Sequence, residues 1–268
     1  MANLGTALIT GASSGIGAVY ADRLARRGYD LILVARNSDR LATLAGRLSK
    51  ETGRSIETLT ADLNDKASLA RVEETLRGDD NITMLVNNAG VGASAPLLQS
   101  NVDKMSEMIA LNVNALTRLT YAVAPRFVAR GKGTIVNIAS IVAVAPDVLN
   151  GVYGGSKAFV LAFSQSLHHE LADKGVRVQA VLPGATATEF WGIAGTPIEY
   201  LPKEIVMSAE DMVDAALAGL DLGELATIPS LPDYADWQAF DTARKALGPS
   251  LSRAEPASRF GVARRSAA

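Results

Sequence analysis

The chain has 268 residues, 48% hydrophobic and 20% charged, enough to bury one large core, so a single domain over residues 1–268 is expected. Its 26 basic and 28 acidic side chains leave a formal charge of −2, so the totals give no pull towards nucleic acid or anionic lipid, and small-molecule chemistry is favoured. The absence of cysteine excludes disulfides, thiolate catalysis and thiolate metal sites, and with no signal-like start or clean membrane-length apolar run a soluble, cytoplasmic protein is expected.

Short aliphatic runs alternate with longer amphipathic stretches, the pattern of βαβ units building a parallel sheet covered on both faces. The first predicted strand, Thr6–Thr10, runs into Gly11-Ala12-Ser13-Ser14-Gly15-Ile16-Gly17, and a helix follows from Ile16 to Arg27. Glycines there permit a tight turn and let backbone amides approach a pyrophosphate, while the helix amino terminus adds partial positive charge. A plain tight turn is the other reading of such a cluster. The second strand, Leu31–Ala35, ends at Arg36 where a dinucleotide fold reads the ribose 2′ position, and no carboxylate stands there. Arg36 suits a 2′-phosphate through its planar fork, with Ser14 and Arg40 as candidate helpers, or else is a solvated surface arginine.

Further along come a helix at Asp39–Glu51, a strand at Ser55–Thr60 leading to Asp62 and Leu63, a helix at Asp65–Arg77 and a strand at Met84–Asn87. A long helix is predicted over Val102–Val128, then a strand at Thr134–Ala139 ending beside Ser140, and a helix at Val152–Lys174. Tyr153 and Lys157 lie four apart on that last helix, so they share a face and the ammonium can approach the phenol. A free phenol has a pKa of about 10, and a neighbouring cation is expected to lower it towards the range of proton exchange. Strand Arg177–Leu182 precedes Pro183-Gly184 and an irregular stretch from Thr186 to Met207, expected to be a lid. Ser208 and Asp211 form a capping box for a helix at Ala209–Leu220, a strand follows at Ala226–Ile228, and residues 229–268 read as an irregular tail frayed beyond Arg253. His168 and His169, adjacent on a helix, cannot pair on a metal, and Trp191 and Trp237 are read as a lid residue and a tail-packing residue. Arg253, Arg259, Arg264 and Arg265 read as a solvated end with no functional role.

Taken together, Thr10-Gly11-x3-Gly15-x-Gly17, Asp62, Asn87-Asn88-Ala89-Gly90, Asn112, Ser140, Tyr153-x3-Lys157 and Pro183-Gly184-x-Thr186 resemble the short-chain dehydrogenases/reductases from the start to about residue 190. The resemblance implies an α/β, Rossmann-like doubly wound parallel sheet with helices on both faces, binding NADP(H), and hydride transfer between nicotinamide and a carbonyl or alcohol, with reduction of a ketone or aldehyde favoured. It assigns proton transfer to Tyr153, support of the phenol and of the nicotinamide ribose to Lys157, a hydrogen bond on the substrate oxygen to Ser140, and a relay water to Asn112. It assigns cofactor contacts to Gly11, Ser13, Ser14, Gly15, Ile16, Gly17, Arg36, Arg40, Asp62, Leu63, Asn88, Ala89, Gly90, Tyr153, Lys157, Pro183, Gly184, Thr186 and Thr188. Asp62 has an alternative as a helix cap, and Asn87 to Gly90 one as stabilisers of the central strands. The family further suggests a homodimer or homotetramer, with the helices at Val102–Val128 and Val152–Lys174 as contact faces. A catalytically silent cofactor-sensing protein, or an epimerase or dehydratase on the same fold, uses the same residues. The chain departs from the common pattern at Gly154-Gly155-Ser156, two glycines early in a helix, for which close approach by a ligand is the expected reason.

Overall fold

The computed structural model describes residues 4–262, so the expectations for Arg264 and Arg265 lie outside the described residues. It divides into two compact units, residues 1–230 and residues 231–268. Among the described residues the first unit holds seven parallel strands, β1 (Thr6–Thr10), β2 (Asp30–Ala35), β3 (Ile56–Thr60), β4 (Ile82–Asn87), β5 (Gly133–Ile138), β6 (Val176–Val181) and β7 (Ala226–Thr227), in the order β3-β2-β1-β4-β5-β6-β7. Each predicted strand is present with its ends shifted by no more than two residues, because aliphatic runs between turn residues are read reliably where both sheet faces are buried.

Helices cover both faces: α1 (Gly15–Arg27), α2 (Ser38–Thr52), α3 (Lys66–Gly78), α4 (Val102–Ile109), α5 (Leu116–Arg130), α6 (Gly151–Leu171), α7 (Phe190–Ala194) and α8 (Ala209–Leu222). One core layer joins Tyr20, Leu24, Leu41, Leu48, Val213 and Leu217 to one face of the sheet. The opposite layer gathers Leu69, Val72, Leu76, Leu119, Val123, Phe127 and Leu167. Chain order reverses between β1 and β4, which opens a crevice at their carboxyl ends, where open α/β sheets bind ligands.

The expected long helix is present as an unbroken helical run over residues 102–130, with a π-helical turn at residues 110–115 between α4 and α5 that carries Asn112 inward. Hydrophobic spacing alone does not register the extra residue that such a turn inserts. The tail is not irregular, since the second unit contains α9 (Tyr234–Ala246), capped by Asp233 through the Ala235 amide, and a short α10 (Gly248–Leu251). Pro229 and Pro232 precede the cap and Pro249 stands in the first turn of α10, positions at which proline does not interrupt a helix. Within that unit Trp237 is buried and its ring lies 5.4 Å from that of Phe240.

Candidate active site

Four loops at the carboxyl edge of the sheet build the site, and the first two are stitched together. Thr10 Oγ1 accepts from the backbone amides of Asn88 and Ala89 at 3.0 Å each, while Asn88 Nδ2 donates to the carbonyls of Thr10 at 2.9 Å and Gly11 at 3.1 Å. A Cβ on Gly17 would collide with the Gly11 carbonyl and the Asn88 side chain, and Gly11 lies at φ +66°, so this tight crossing requires glycine at both places. Ser14 caps α1 without a side-chain hydrogen bond, which leaves the first amides of that helix available to an anion. Ser13, Gly15 and Ile16 are half-buried beside it.

At the end of β2, Arg36 is exposed and has no hydrogen bond or ion pair among the described residues. Arg40 differs from the expectation of a free helper: both terminal nitrogens of its guanidinium bind the Glu189 carboxylate, at 2.7 Å and 3.1 Å. Asp62 is exposed and accepts from the Asn64 amide, whereas the cap of α3 is Asp65, which disposes of the capping alternative for Asp62. The Leu63 side chain is buried in the core, so what Leu63 offers a ligand there is its backbone. This set of tight glycines, open helix amides and an unpartnered arginine, with no carboxylate at the end of β2, fits a phosphorylated dinucleotide.

The reactive candidates converge. Ser140 follows β5 and Tyr153 and Lys157 lie in the first two turns of α6; all three are buried. Asn150 starts that helix, its carboxamide accepting from the amides of Val152 and Tyr153 at 2.9 Å and 3.3 Å and donating to the Ala95 carbonyl at 2.6 Å. Burial pushes the Tyr153 phenol up to about 12, and a hydrogen bond with the Ser140 hydroxyl acts in the opposite sense. Ser140 otherwise makes only long contacts, 3.4 Å to the Pro183 carbonyl and 3.4 Å from the Val142 amide, so its hydroxyl is held loosely enough to serve another oxygen. Lys157 Nζ donates to the Ile138 carbonyl at 2.8 Å and lies 5.9 Å from the centre of the Tyr153 ring. Burial brings its pKa down to about 8. The phenol is therefore raised rather than lowered, because burial outweighs the Ser140 hydrogen bond that opposes it.

Asn112 Oδ1 accepts from the Val91 amide at 3.0 Å and its Nδ2 donates to the Val91 carbonyl at 2.9 Å and to Ser156 Oγ at 3.1 Å, which fills both donors and leaves the oxygen one lone pair. These bonds fasten the loop after β4 to α6. Gly90 passes between this amide and Lys157, since a Cβ there would lie 3.1 Å from Asn112 Oδ1 and 3.5 Å from Lys157 Nζ. Asn87 serves the strands, donating to Thr120 Oγ1 at 3.1 Å and Asn137 Oδ1 at 2.9 Å. Gly154 would meet Pro146 only at ordinary contact distance and Gly155 faces open space, so no packing within the chain explains the second glycine.

The fourth loop brings Pro183 and Gly184 against Ser140 and Ile141, with the Ile141 amide donating to the Pro183 carbonyl at 3.0 Å. Thr186 is buried, and the Thr188 methyl stands 3.1 Å from where a Cβ on Gly15 would be. The lid begins and ends at a parallel bridge between Thr186 and Met207. Trp191 proves to be a lid anchor, buried with Nε1 donating to the Thr186 carbonyl at 3.0 Å. Sequence reasoning missed Phe190, whose ring centre is 5.8 Å from that of Tyr153 and whose edge occupies the space a Cβ on Gly92 would need. It also missed Glu189 and Ser94, because their partners lie about a hundred residues or more away in the chain. Tyr153 belongs to a buried cluster with Met108 and Val142, against which the apolar Val91, Ala93, Leu149, Val152 and Phe190 pack.

Residues 5–196 match the family model of the short chain dehydrogenases. A very-long-chain 3-oxoacyl-CoA reductase from Anas platyrhynchos is 36% identical over 68% of this chain, which spans 60% of that protein. The 17-beta-hydroxysteroid dehydrogenase type 3 of Homo sapiens is 33% identical over 81% of this chain and 68% of its own length. Among solved structures, a short-chain dehydrogenase from Sphingobium yanoikuyae in complex with NADPH is 52% identical with a TM-score of 0.92, covering 95% of this chain and 98% of its own. A bulky-bulky ketone specific alcohol dehydrogenase from Comamonas testosteroni is 47% identical with a TM-score of 0.89, covering 97% and 99%. No helix of the described residues is long and apolar enough to cross a membrane.

Proposed function

The chain belongs to the short-chain dehydrogenase/reductase family, and we propose that it is an NADP(H)-dependent oxidoreductase that reduces a ketone bearing apolar substituents to the secondary alcohol. The observation that carries this reading is the convergence of Tyr153, Ser140 and Lys157, buried at the sheet edge that also presents the glycine turn. The unpartnered Arg36 supports the phosphorylated cofactor, as does the bound NADPH of the Sphingobium relative. The apolar surroundings of Tyr153 support a hydrophobic ketone, in keeping with the relative described as bulky-bulky ketone specific.

NADPH, when held there, would supply the hydride for the carbonyl carbon. Tyr153, protonated at neutral pH as any phenol is and more so for its burial, gives its proton to the carbonyl oxygen as negative charge develops there. Ser140 donates a hydrogen bond to the same oxygen and fixes it beside the phenol. Lys157 stabilises the phenolate that remains and holds the cofactor ribose. The glycine turn and the α1 amides hold the pyrophosphate, and Arg36 the 2′-phosphate. Exposed Tyr121 and Phe159, both adjoining the ring of Phe163 on α5 and α6, support pairing of two copies.

The test is NADPH oxidation against ketones of graded size, with NADH as control and the product identified. Stoichiometric alcohol is expected, with Tyr153→Phe losing turnover by about 10³-fold or more and keeping its cofactor affinity. Substrate conversion without net NADPH consumption would favour an epimerase or dehydratase. Inertness across the panel, with NADPH bound, would favour a cofactor sensor.

A further inference from the structure

The lid carries one ion pair to the body of the first unit among the described residues, and it is an unusual place for one. Arg40, in the first turn of α2, gives both terminal nitrogens to Glu189, 149 positions away. Glu189 stands at the start of α7, between Thr188, which touches the glycine turn, and Phe190, which packs on the Tyr153 ring. The pair thus ties the lid across the side of the crevice where Arg36 stands without a partner. Other fastenings of the lid are neutral, among them the Thr186 to Met207 bridge, the Trp191 indole, the Ser94 amide and hydroxyl on the Ala194 carbonyl and the Thr196 hydroxyl on Ser94.

We propose that Glu189 is a specificity-determining residue that competes with the ribose phosphate of the cofactor for Arg40, so that seating the phosphate releases the lid. The inference rests on the NADP(H) reading above. The guanidinium fork that binds a carboxylate through two terminal nitrogens is the same fork that binds phosphate, and it cannot give both nitrogens to both anions. A phosphate of about two negative charges, drawn also to Arg36 four positions earlier, displaces a single half-exposed carboxylate. A dinucleotide lacking that phosphate leaves the pair intact. The consequence reaches the chemistry because Ser140, Tyr153 and Lys157 are buried with Phe190 against the phenol ring, so a ketone needs the lid to move. Glu189 thereby makes substrate entry depend on which cofactor is bound.

The experiment compares wild type with Glu189→Gln, which keeps shape and removes charge, by titration calorimetry with NADP+ and with NAD+. Trypsin cleavage after the exposed Lys203 reports the lid. Glu189→Gln is expected to bind NADP+ about three- to fivefold more tightly while NAD+ affinity stays within about twofold. Cleavage at Lys203 should rise in wild type with NADP+ but not with NAD+, and should be raised in Glu189→Gln without cofactor. A wild-type preference for NADP+ that Glu189→Gln leaves unchanged, or an equal loss for both cofactors, overturns the competition and spares the cofactor reading. Equal wild-type affinity for the two, with a preference for NADP+ appearing in Glu189→Gln, would instead overturn the cofactor reading and uphold the competition.

Discussion

Around Asn137 the chain is held by hydrogen bonds between buried polar groups, and of the Asn87, Asn137 and Ser164 side chains that take part Asn87 Oδ1 alone is left without a partner. Asn137 has no exposed surface, takes a hydrogen bond from Asn87 at 2.9 Å and gives one to Ser164 at 2.9 Å, and Ser164 in turn donates to the Val160 carbonyl at 2.7 Å. That chain of bonds locks β4, β5 and α6 together, and those elements deliver Ser140, Tyr153 and Lys157. The lid is held differently, by a bridge at its ends, the buried Trp191 indole, the amide and hydroxyl of Ser94 on the Ala194 carbonyl, and a salt bridge whose side chains are 49% and 59% exposed. A buried donor that loses its partner has no water to turn to, whereas an exposed pair exchanges with water at small cost. The proposed chemistry thus falls where geometry is over-determined, and the proposed selection where contacts are interchangeable.

The contrast breaks first, if it is wrong, at Asn137. Asn137→Ala should lower unfolding free energy by about 2–4 kcal/mol in a denaturant melt, through a cavity and groups left without partners. A loss below about 1 kcal/mol would mean that the interior relaxes as freely as the lid.

Lys157 sharpens the comparison, since the interior accepts a cation that burial disfavours. Its pKa falls from 10.5 to about 8, so between those values the unfolded chain binds more protons and stability rises with pH. The penalty is fully present below about 8 and gone above 10.5. Lys157→Met should therefore be more stable than wild type at pH 7 by about 1–2 kcal/mol, after allowing for the Ile138 carbonyl left unpaired, and the gain should vanish towards pH 10.5. A loss of stability at pH 7 would show that the surroundings favour the ammonium more than burial opposes it.

The smallest effect belongs to the lid. Ser94→Ala removes one hydroxyl from the Ala194 carbonyl and from Thr196, and should cost less than about 1 kcal/mol while raising KM for the ketone. A stability loss comparable to that of Asn137→Ala would erase the distinction between the two regions.

Much of the fold could be read in advance because both faces of the central sheet are covered, so the inner strands announce themselves as aliphatic runs, unlike the exposed edge strand Ile56–Thr60, and the helices as amphipathic ones. The glycine turn was legible for a related reason: Gly17 crosses so close to Gly11 and Asn88 that no other residue is tolerated. The π-helical turn at residues 110–115 and the helix at Tyr234–Ala246 escaped notice. One inserted residue leaves hydrophobic spacing nearly intact, and prolines at helix starts look the same in a sequence as prolines that end helices.

By itself the sequence determined the order of strands and helices, the phosphate-binding turn and the pairing of Tyr153 with Lys157, because these depend on residues close together in the chain. Only the tertiary structure decided that Arg40 is bound to Glu189, that Asn112 fastens Val91 and Ser156, and that Phe190 lies on the Tyr153 ring. Those outcomes depend on which distant side chains are buried together, and on the desolvation that follows, which also sends the Tyr153 phenol up rather than down.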